Sequence, residues 1–225
     1  MASPSRDASV EPPVLGAIEA RIVGCLIEKA AITPEAYPLT VNAIVAAGNQ
    51  KTSREPVMQL ETGAVAHALR AMESSGLVKL AQASQRALRY EHRFDAVYAV
   101  TARQRAVLCV LLLRGPQTLG ELLTRTDRIG EFPSLDDVRD TLDRLIQREP
   151  ALVVRLGRSH GQREDRYMHL LCGPVAAEAF VPSPAPAETT AREALPARIE
   201  RLEAEIEALR IELAGLRERV DAVTG

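Results

Sequence analysis

The chain contains no tryptophan, three phenylalanines and four tyrosines, so aromatic residues make up only 3% of its 225 positions. It has three cysteines, Cys25, Cys109 and Cys172. None has a C-x-x-C neighbour, so neither a zinc site nor a redox pair is signalled. Cys25 and Cys109 fall inside apolar helical patterns and read as small buried hydrophobes. No apolar run approaches the roughly 18 residues that span a bilayer, and no membrane partner is expected. Residues Met1 to Pro13 lack the apolar segment of a signal peptide and read as a disordered leader. A cytoplasmic protein is therefore expected.

Reaction chemistry is equally sparse. The four histidines, His67, His92, His160 and His169, form no H-E-x-x-H or similar ligand spacing. No glycine-rich phosphate loop occurs. His92 stands in a charged strand and His169 beside Met168 and Leu170, and neither has a nucleophile partner. With no reaction-class constellation to assemble, we expect no catalysis, no cofactor and no metal. Nor is there a surplus of positive charge. The net charge is −2, with residues 14–175 carrying a small positive excess and residues 176–225 a negative one. That balance is not the strongly basic one of a typical DNA-binding domain.

The chain does have a C-terminal seam. Leu195, Ile199, Leu202, Ile206, Leu209, Leu213, Leu216, Val220 and Val223 recur at alternating steps of three and four. This is a heptad pattern, with Ile199, Ile206, Leu213 and Val220 at a and the others at d. In a parallel, in-register pair the flanking charges oppose Arg198 to Glu203, Glu205 to Arg210 and Glu212 to Arg217. A centred antiparallel pair would set Arg198 against Arg219. Each exposed pair contributes only about 0–1 kcal/mol, so these charges choose orientation more than they stabilise. Mostly β-branched a positions with leucine at d favour two strands. The seam thus predicts a parallel homodimer; a single amphipathic helix packed on the body is the plainer alternative.

The body repeats one order of elements. Its first copy has apolar helices from about Leu15 to Lys29, Thr40 to Ala47 and Thr62 to Ser75, then strand-like runs Leu77 to Ala81 and Leu88 to Phe94. The second opens at Thr101, which with Gln104 can form a capping box; Gly115-Pro116 ends that helix. Thr118 and Glu121 form another box, and Ser134 caps a third helix carrying Val138, Leu142, Leu145 and Ile146. Strand-like runs Leu152 to Leu156 and Arg166 to Leu171 follow. Three helices and a hairpin is the order of a winged helix-turn-helix, although short helices with a hairpin also suit other α+β folds. The expected fold class is α+β, mainly α: a leader (1–13), winged-helix domains at 14–100 and 101–173, a Pro/Ala-rich linker (174–194), and a coiled-coil helix (195–225).

Several strings are individually recognisable: Glu19-Ala-Arg-Ile-Val-Gly-Cys-Leu-Ile-Glu-Lys29, Thr33-Pro-Glu-Ala-Tyr-Pro-Leu39, Asn49-Gln-Lys-Thr-Ser-Arg-Glu-Pro-Val-Met58, Tyr90-Glu-His-Arg-Phe94, Leu111-Leu-Leu-Arg-Gly-Pro-Gln-Thr118 and Arg166-Tyr-Met-His-Leu170. Together they resemble the YceH-like family, bacterial proteins of unassigned function with tandem winged-helix domains. The resemblance covers about Leu15 to Gly173. It implies the fold and brings no activity. The heptad tail stands outside it and reads as an addition to the shared body. Gly16 replaces an expected Ser or Thr cap, and the first wing tip, Ala83-Ser-Gln-Arg-Ala87, has no glycine.

A winged helix presents its third helix to the major groove and its wing to the backbone. In the first copy the outward helix positions include His67 and Arg70. The wing supplies Lys79, Arg86, Arg89 and Arg93, and the turn before the helix supplies Lys51 and Arg54. Together these can neutralise several phosphates of double-stranded DNA and make binding salt-sensitive; the plain alternative is a solvated surface of balanced charges. In the polar string Asn49 to Glu55, a structural role suits Asn49 and Glu55, while Lys51 and Arg54 suit contact. The second copy differs, because its third helix carries Asp136, Asp137, Asp140 and Asp143, which repel phosphate. Its wing is basic (Arg155, Arg158, His160, Arg163, Arg166). The expected function is DNA binding in transcriptional or chromosomal regulation, chiefly through the first domain. The other reading is a protein–protein adaptor, with an unidentified protein on the second domain.

Overall fold

The computed structural model describes residues 12–81, 87–157 and 164–175. The chain divides into two units, Met1–Ala179 and Phe180–Gly225, and every described residue belongs to the first. The leader up to residue 11, the linker from 176 and the heptad helix lie outside the described residues, as do Arg86, Arg158, His160 and Arg163.

Seven α-helices, one 3-10 turn (Pro34–Ala36) and two small antiparallel sheets form the regular structure of the described residues, about half of which are α-helical. The class is α+β. In order they are α1 (Ala17–Ile32), β1 (Leu39–Thr40), α2 (Val41–Gly48), α3 (Thr62–Ser74), β2 (Val78–Leu80), β3 (Arg89–His92), α4 (Phe94–Tyr98), α5 (Ala102–Arg114), α6 (Leu119–Thr126), α7 (Leu135–Gln147), β4 (Val153–Leu156) and β5 (Arg166–His169). The first sheet has the order β1-β3-β2, and the second pairs β4 with β5. A bridge from Gln117 to Tyr167 stands before α6 where β1 stands before α2. Three helices followed by a hairpin thus occur twice, as α1, α2, α3, β2, β3 and as α5, α6, α7, β4, β5; α4 has no counterpart, and the sequence patterns announce neither α4 nor β1.

Local chemistry explains the ends. The Thr101 hydroxyl accepts from the Gln104 N–H at 3.3 Å, and the Gln104 side chain accepts from the Thr101 N–H at 3.0 Å. Thr118 and Glu121 repeat this box at 3.2 and 2.9 Å. Gly16 supplies only half of one, its N–H donating to Glu19 at 2.8 Å. Gly115 closes α5 at φ +66°, a backbone that favours glycine.

The core is built on α1 and α5. Ala20–Glu28 and Ala106–Leu113 are buried on all sides, as helices surrounded by other elements must be. They pack on each other, α1 also against α2 and α3, and α5 against α6 and α7. The crossing is close at Gly24, where a Cβ would stand 2.8 Å from Leu113 Cδ2. Nearby the Cys109 thiol donates to the Gly24 carbonyl at 3.4 Å. One continuous apolar cluster, from Leu15 to Leu171, runs through both halves. The Leu15 N–H donates to the Leu171 carbonyl at 2.7 Å, so the described segment is joined near its two ends.

Candidate nucleic-acid interface

Helix α3 turns Val65, Ala68, Leu69 and Met72 into the core. Gly63, His67, Arg70 and Ser74 form the opposite stripe and are exposed, as a period of 3.6 requires. His67 and Arg70 thus share one outward face, one turn apart. Glu73 is exposed beside them. Among the described residues, neither the His67 nor the Arg70 side chain has a hydrogen-bond or ion-pair partner.

The hairpin presents less charge than its composition promises. Lys79 stands opposite Glu91 in the β2–β3 register and bonds to it at 2.6 Å. Arg89 donates to the Pro38 carbonyl at 2.7 Å. Arg93 is exposed and lies past the end of β3, where its N–H donates to the Leu77 carbonyl at 2.8 Å. At about 3.3 Å per strand residue, this puts it at the base of the hairpin, away from the tip. Arg93 thus lies two positions beyond Glu91, the strand partner of Lys79. Leu80 and Leu88, exposed at 37% and 64%, add apolar surface toward the tip.

Arg54 corrects the sequence reading. It is not presented outward: its side chain has no exposed surface. All five of its N–H donors are satisfied internally. They reach Ala47 O at 3.0 Å, Ser53 O at 2.8 Å, Gln50 Oε1 at 3.0 Å, and the two Glu28 oxygens at 3.0 and 2.6 Å. Burial alone would raise the Glu28 carboxyl, but the hydrogen bonds and charge of Arg54, helped by Lys29, hold it below the ordinary carboxylate range. Burial alone would lower the Arg54 guanidinium, and Glu28 reverses that. A guanidinium so enclosed has no donor left for a phosphate.

The loop between α2 and α3 is held from several sides. The Asn49 side chain donates to Leu60 O at 3.0 Å and accepts from Leu60 N–H at 2.6 Å, closing both ends. Arg21 donates to Gly48 O at 3.2 Å and Pro56 O at 2.7 Å. The Glu55 N–H donates to Leu113 O at 2.8 Å, and Arg114 donates to Ser53 Oγ at 2.6 Å. Asn49 and Glu55 thus have structural contacts. Lys51 and Thr52 remain exposed. Arg21 and Glu28 went unnoticed in the sequence. The available signal was two opposite charges seven residues apart, on one face of the helix and within its apolar stretch.

The second half is different electrostatically. Asp136, Arg139, Asp140, Asp143 and Arg144 are exposed on α7, with Asp136 paired to Arg139. Asp137 pairs with Arg103 at 3.2 Å, and Ser134 caps its N–H. Acidic groups in a first turn suit the helix dipole. Arg155 is paired with Asp165 and Arg166 with Glu121. Among the described residues, no three His, Cys, Asp or Glu side chains are grouped as metal ligands, and no helix is long and apolar enough to cross a membrane.

The described residues thus form an α+β body in which a helix-and-hairpin order occurs twice, with the His67 and Arg70 side chains unpartnered on the outward face of α3. A family model described as "Protein of unknown function, DUF480" matches residues 15–162. A UPF0502 protein of Xanthomonas axonopodis pv. citri is 52% identical over 216 residues, covering 94% of this chain and 96% of that one. UPF0502 proteins of Xanthomonas oryzae pv. oryzae and Stenotrophomonas maltophilia are 53% and 50% identical, covering 93% and 91% of this chain. The chain belongs to this family of uncharacterised bacterial proteins, consistent with the YceH-like resemblance. The match to the Xanthomonas axonopodis relative leaves fewer residues uncovered than the heptad segment contains. That segment is therefore partly shared with the relative and is not an addition peculiar to this chain.

Proposed function

We propose that the protein binds double-stranded DNA as a non-enzymatic regulator, with each half a winged helix-turn-helix and the first half making the contact. One observation carries the reading: the two third helices differ in charge. The α3 face offers His67 and Arg70 without partners, and Lys51 stands exposed before it. The α7 face is acidic, and both described arginines of its hairpin are engaged by carboxylates. Phosphate neutralisation then falls to the first half, and Arg70 can reach a guanine edge or a phosphate. The heptad seam supports a parallel coiled-coil dimer, which would hold two bodies at high effective concentration in the cytoplasm. The test is selection of full-length protein against random and genomic duplexes at near-physiological salt, with sequencing of what is retained. An enriched motif supports the reading, and paired half-sites support binding as a dimer. No enrichment by a folded, dimeric protein overturns it.

The acidic outward face of α7 favours a second reading, an adaptor whose second half docks a basic protein surface. Absence of any enriched duplex, with retention of the same protein partner that Asp140→Lys and Asp143→Lys abolish, would favour it.

A further inference from the structure

The loop from Asn49 to Pro56 is longer than a helix-turn-helix turn and unusually well anchored for an exposed segment. Beneath it lie two buried arginines and one buried glutamate. Arg21 and Arg54 are 2% and 4% exposed and Glu28 8%. Burying charge is costly, and the apolar core does not need it. What the network accomplishes is positional: it joins Gln50 and the carbonyls of Ala47, Gly48, Ser53 and Pro56 to α1, while Asn49 ties the loop's start to its end. The tip it holds out is Lys51-Thr52-Ser53. Among the described residues, the backbone N–H groups of these three make no hydrogen bond. Ser53 has φ +62°, in the left-handed region that non-glycine residues rarely adopt.

We propose that this loop is a preformed phosphate-contact element of the DNA face. Lys51 and the backbone N–H groups of residues 51–53 supply the donors, and Arg54, through Glu28, acts as the positioning residue. The inference rests on the DNA-binding reading and deepens it. It also gives the second half a part in binding without contact of its own. The Leu113 carbonyl and the Arg114 side chain, at the end of α5, hold Glu55 and Ser53 in place. The loop is thus the point where the second half sets the geometry of the first.

The test uses full-length protein and a short labelled duplex, of selected and of random sequence, titrated across a salt series. Lys51→Ala lowers affinity several-fold and reduces the slope of log K against log salt by about one; Lys51→Arg restores the slope. Arg114→Ala, which removes a half-exposed donor, leaves the protein folded, speeds hydrogen exchange at the Glu55 N–H, and weakens duplex binding. Adding Lys51→Ala to Arg114→Ala then has little further effect, because the lysine is no longer placed. An unchanged slope in Lys51→Ala overturns the proposal, and full additivity overturns the part given to the second half. If wild-type protein retains no duplex even at low salt, the DNA reading falls and this inference with it. If it retains duplex that is insensitive to both loop variants, only this inference falls.

Discussion

Arg54 donates to both carboxylate oxygens of Glu28, at 3.0 and 2.6 Å, with no part of the arginine side chain exposed. The pair joins the loop before α3 to the central helix α1. Its removal from one side only leaves a buried charge without its counterpart. Arg54→Met or Glu28→Leu alone is expected to destabilise the fold by about 3–5 kcal/mol. The double change is expected to cost much less than the two together, although the stranded carbonyls of Ala47 and Ser53 keep it from being neutral. Urea unfolding of the three variants checks this; equal, additive losses would show that the pair does not act as a unit.

Two glycines make opposite predictions. A Cβ at Gly24 would stand 2.8 Å from Leu113 Cδ2, 2.9 Å from its Cγ and 3.3 Å from Leu112 Cβ, all inside the α1–α5 contact. Gly24→Ala gains helix propensity, but overpacking costs typically about 1–3 kcal/mol, so a net loss is expected. At Gly63, on the outward face of α3, a Cβ meets nothing within 4 Å. There Gly63→Ala is expected to be neutral or to stabilise by up to about 1 kcal/mol. Thermal melts of both variants read the difference in sign.

Stability should fall with acid in a defined window. Burial pushes the His169 imidazole down to about 4, and burial with the nearby Arg105 charge does the same to His92, against the opposing Asp95. Above the ordinary value of 6.5 both states are neutral and nothing is lost. Below it the unfolded chain binds protons that the folded chain refuses, so stability declines as pH drops from 6.5 toward 4. For His169, 5% exposed, the loss by the lower end is about 3 kcal/mol, with less expected for the more exposed His92. His169→Leu should flatten the stability–pH curve in this window; an unchanged curve would place the titration elsewhere.

Arg70 and Arg89 are expected to behave differently toward DNA. Arg70 is unpaired on the outward face of α3, so Arg70→Ala should cost about 1–3 kcal/mol of duplex binding if it reads a base, or flatten the salt dependence by about one phosphate if it does not. Arg89 already donates to the Pro38 carbonyl, and Arg89→Ala should have the smaller effect. Equal losses from both would return the wing to equal standing with the helix.

The heptad segment makes a prediction independent of the body. A chain ending at Pro182 should be monomeric by light scattering where the full-length protein is dimeric. A truncated dimer would assign association to the body.

Periodicity and capping chemistry are local, and the sequence determined whatever depends on them. The apolar rows of α1, α3, α5 and α7, the boxes at Thr101 and Thr118, the stop at Gly115 and the doubled order of helices and hairpins all follow from spacing along the chain. So do the outward positions of His67 and Arg70, because a helix that buries Val65, Leu69 and Met72 has no other face to offer. Tertiary structure alone decided where Arg54 goes. An arginine in a polar loop has the same local signature whether it meets water, a phosphate or a carboxylate. Its partner, Glu28, is 26 residues away on a helix that reads as plain core. Long-range pairing likewise decided that Lys79 and Arg166 are neutralised, by Glu91 across a hairpin and by Glu121 across a half. Charge is written in sequence, but whether a charge is available depends on what folding brings within about 4 Å of it.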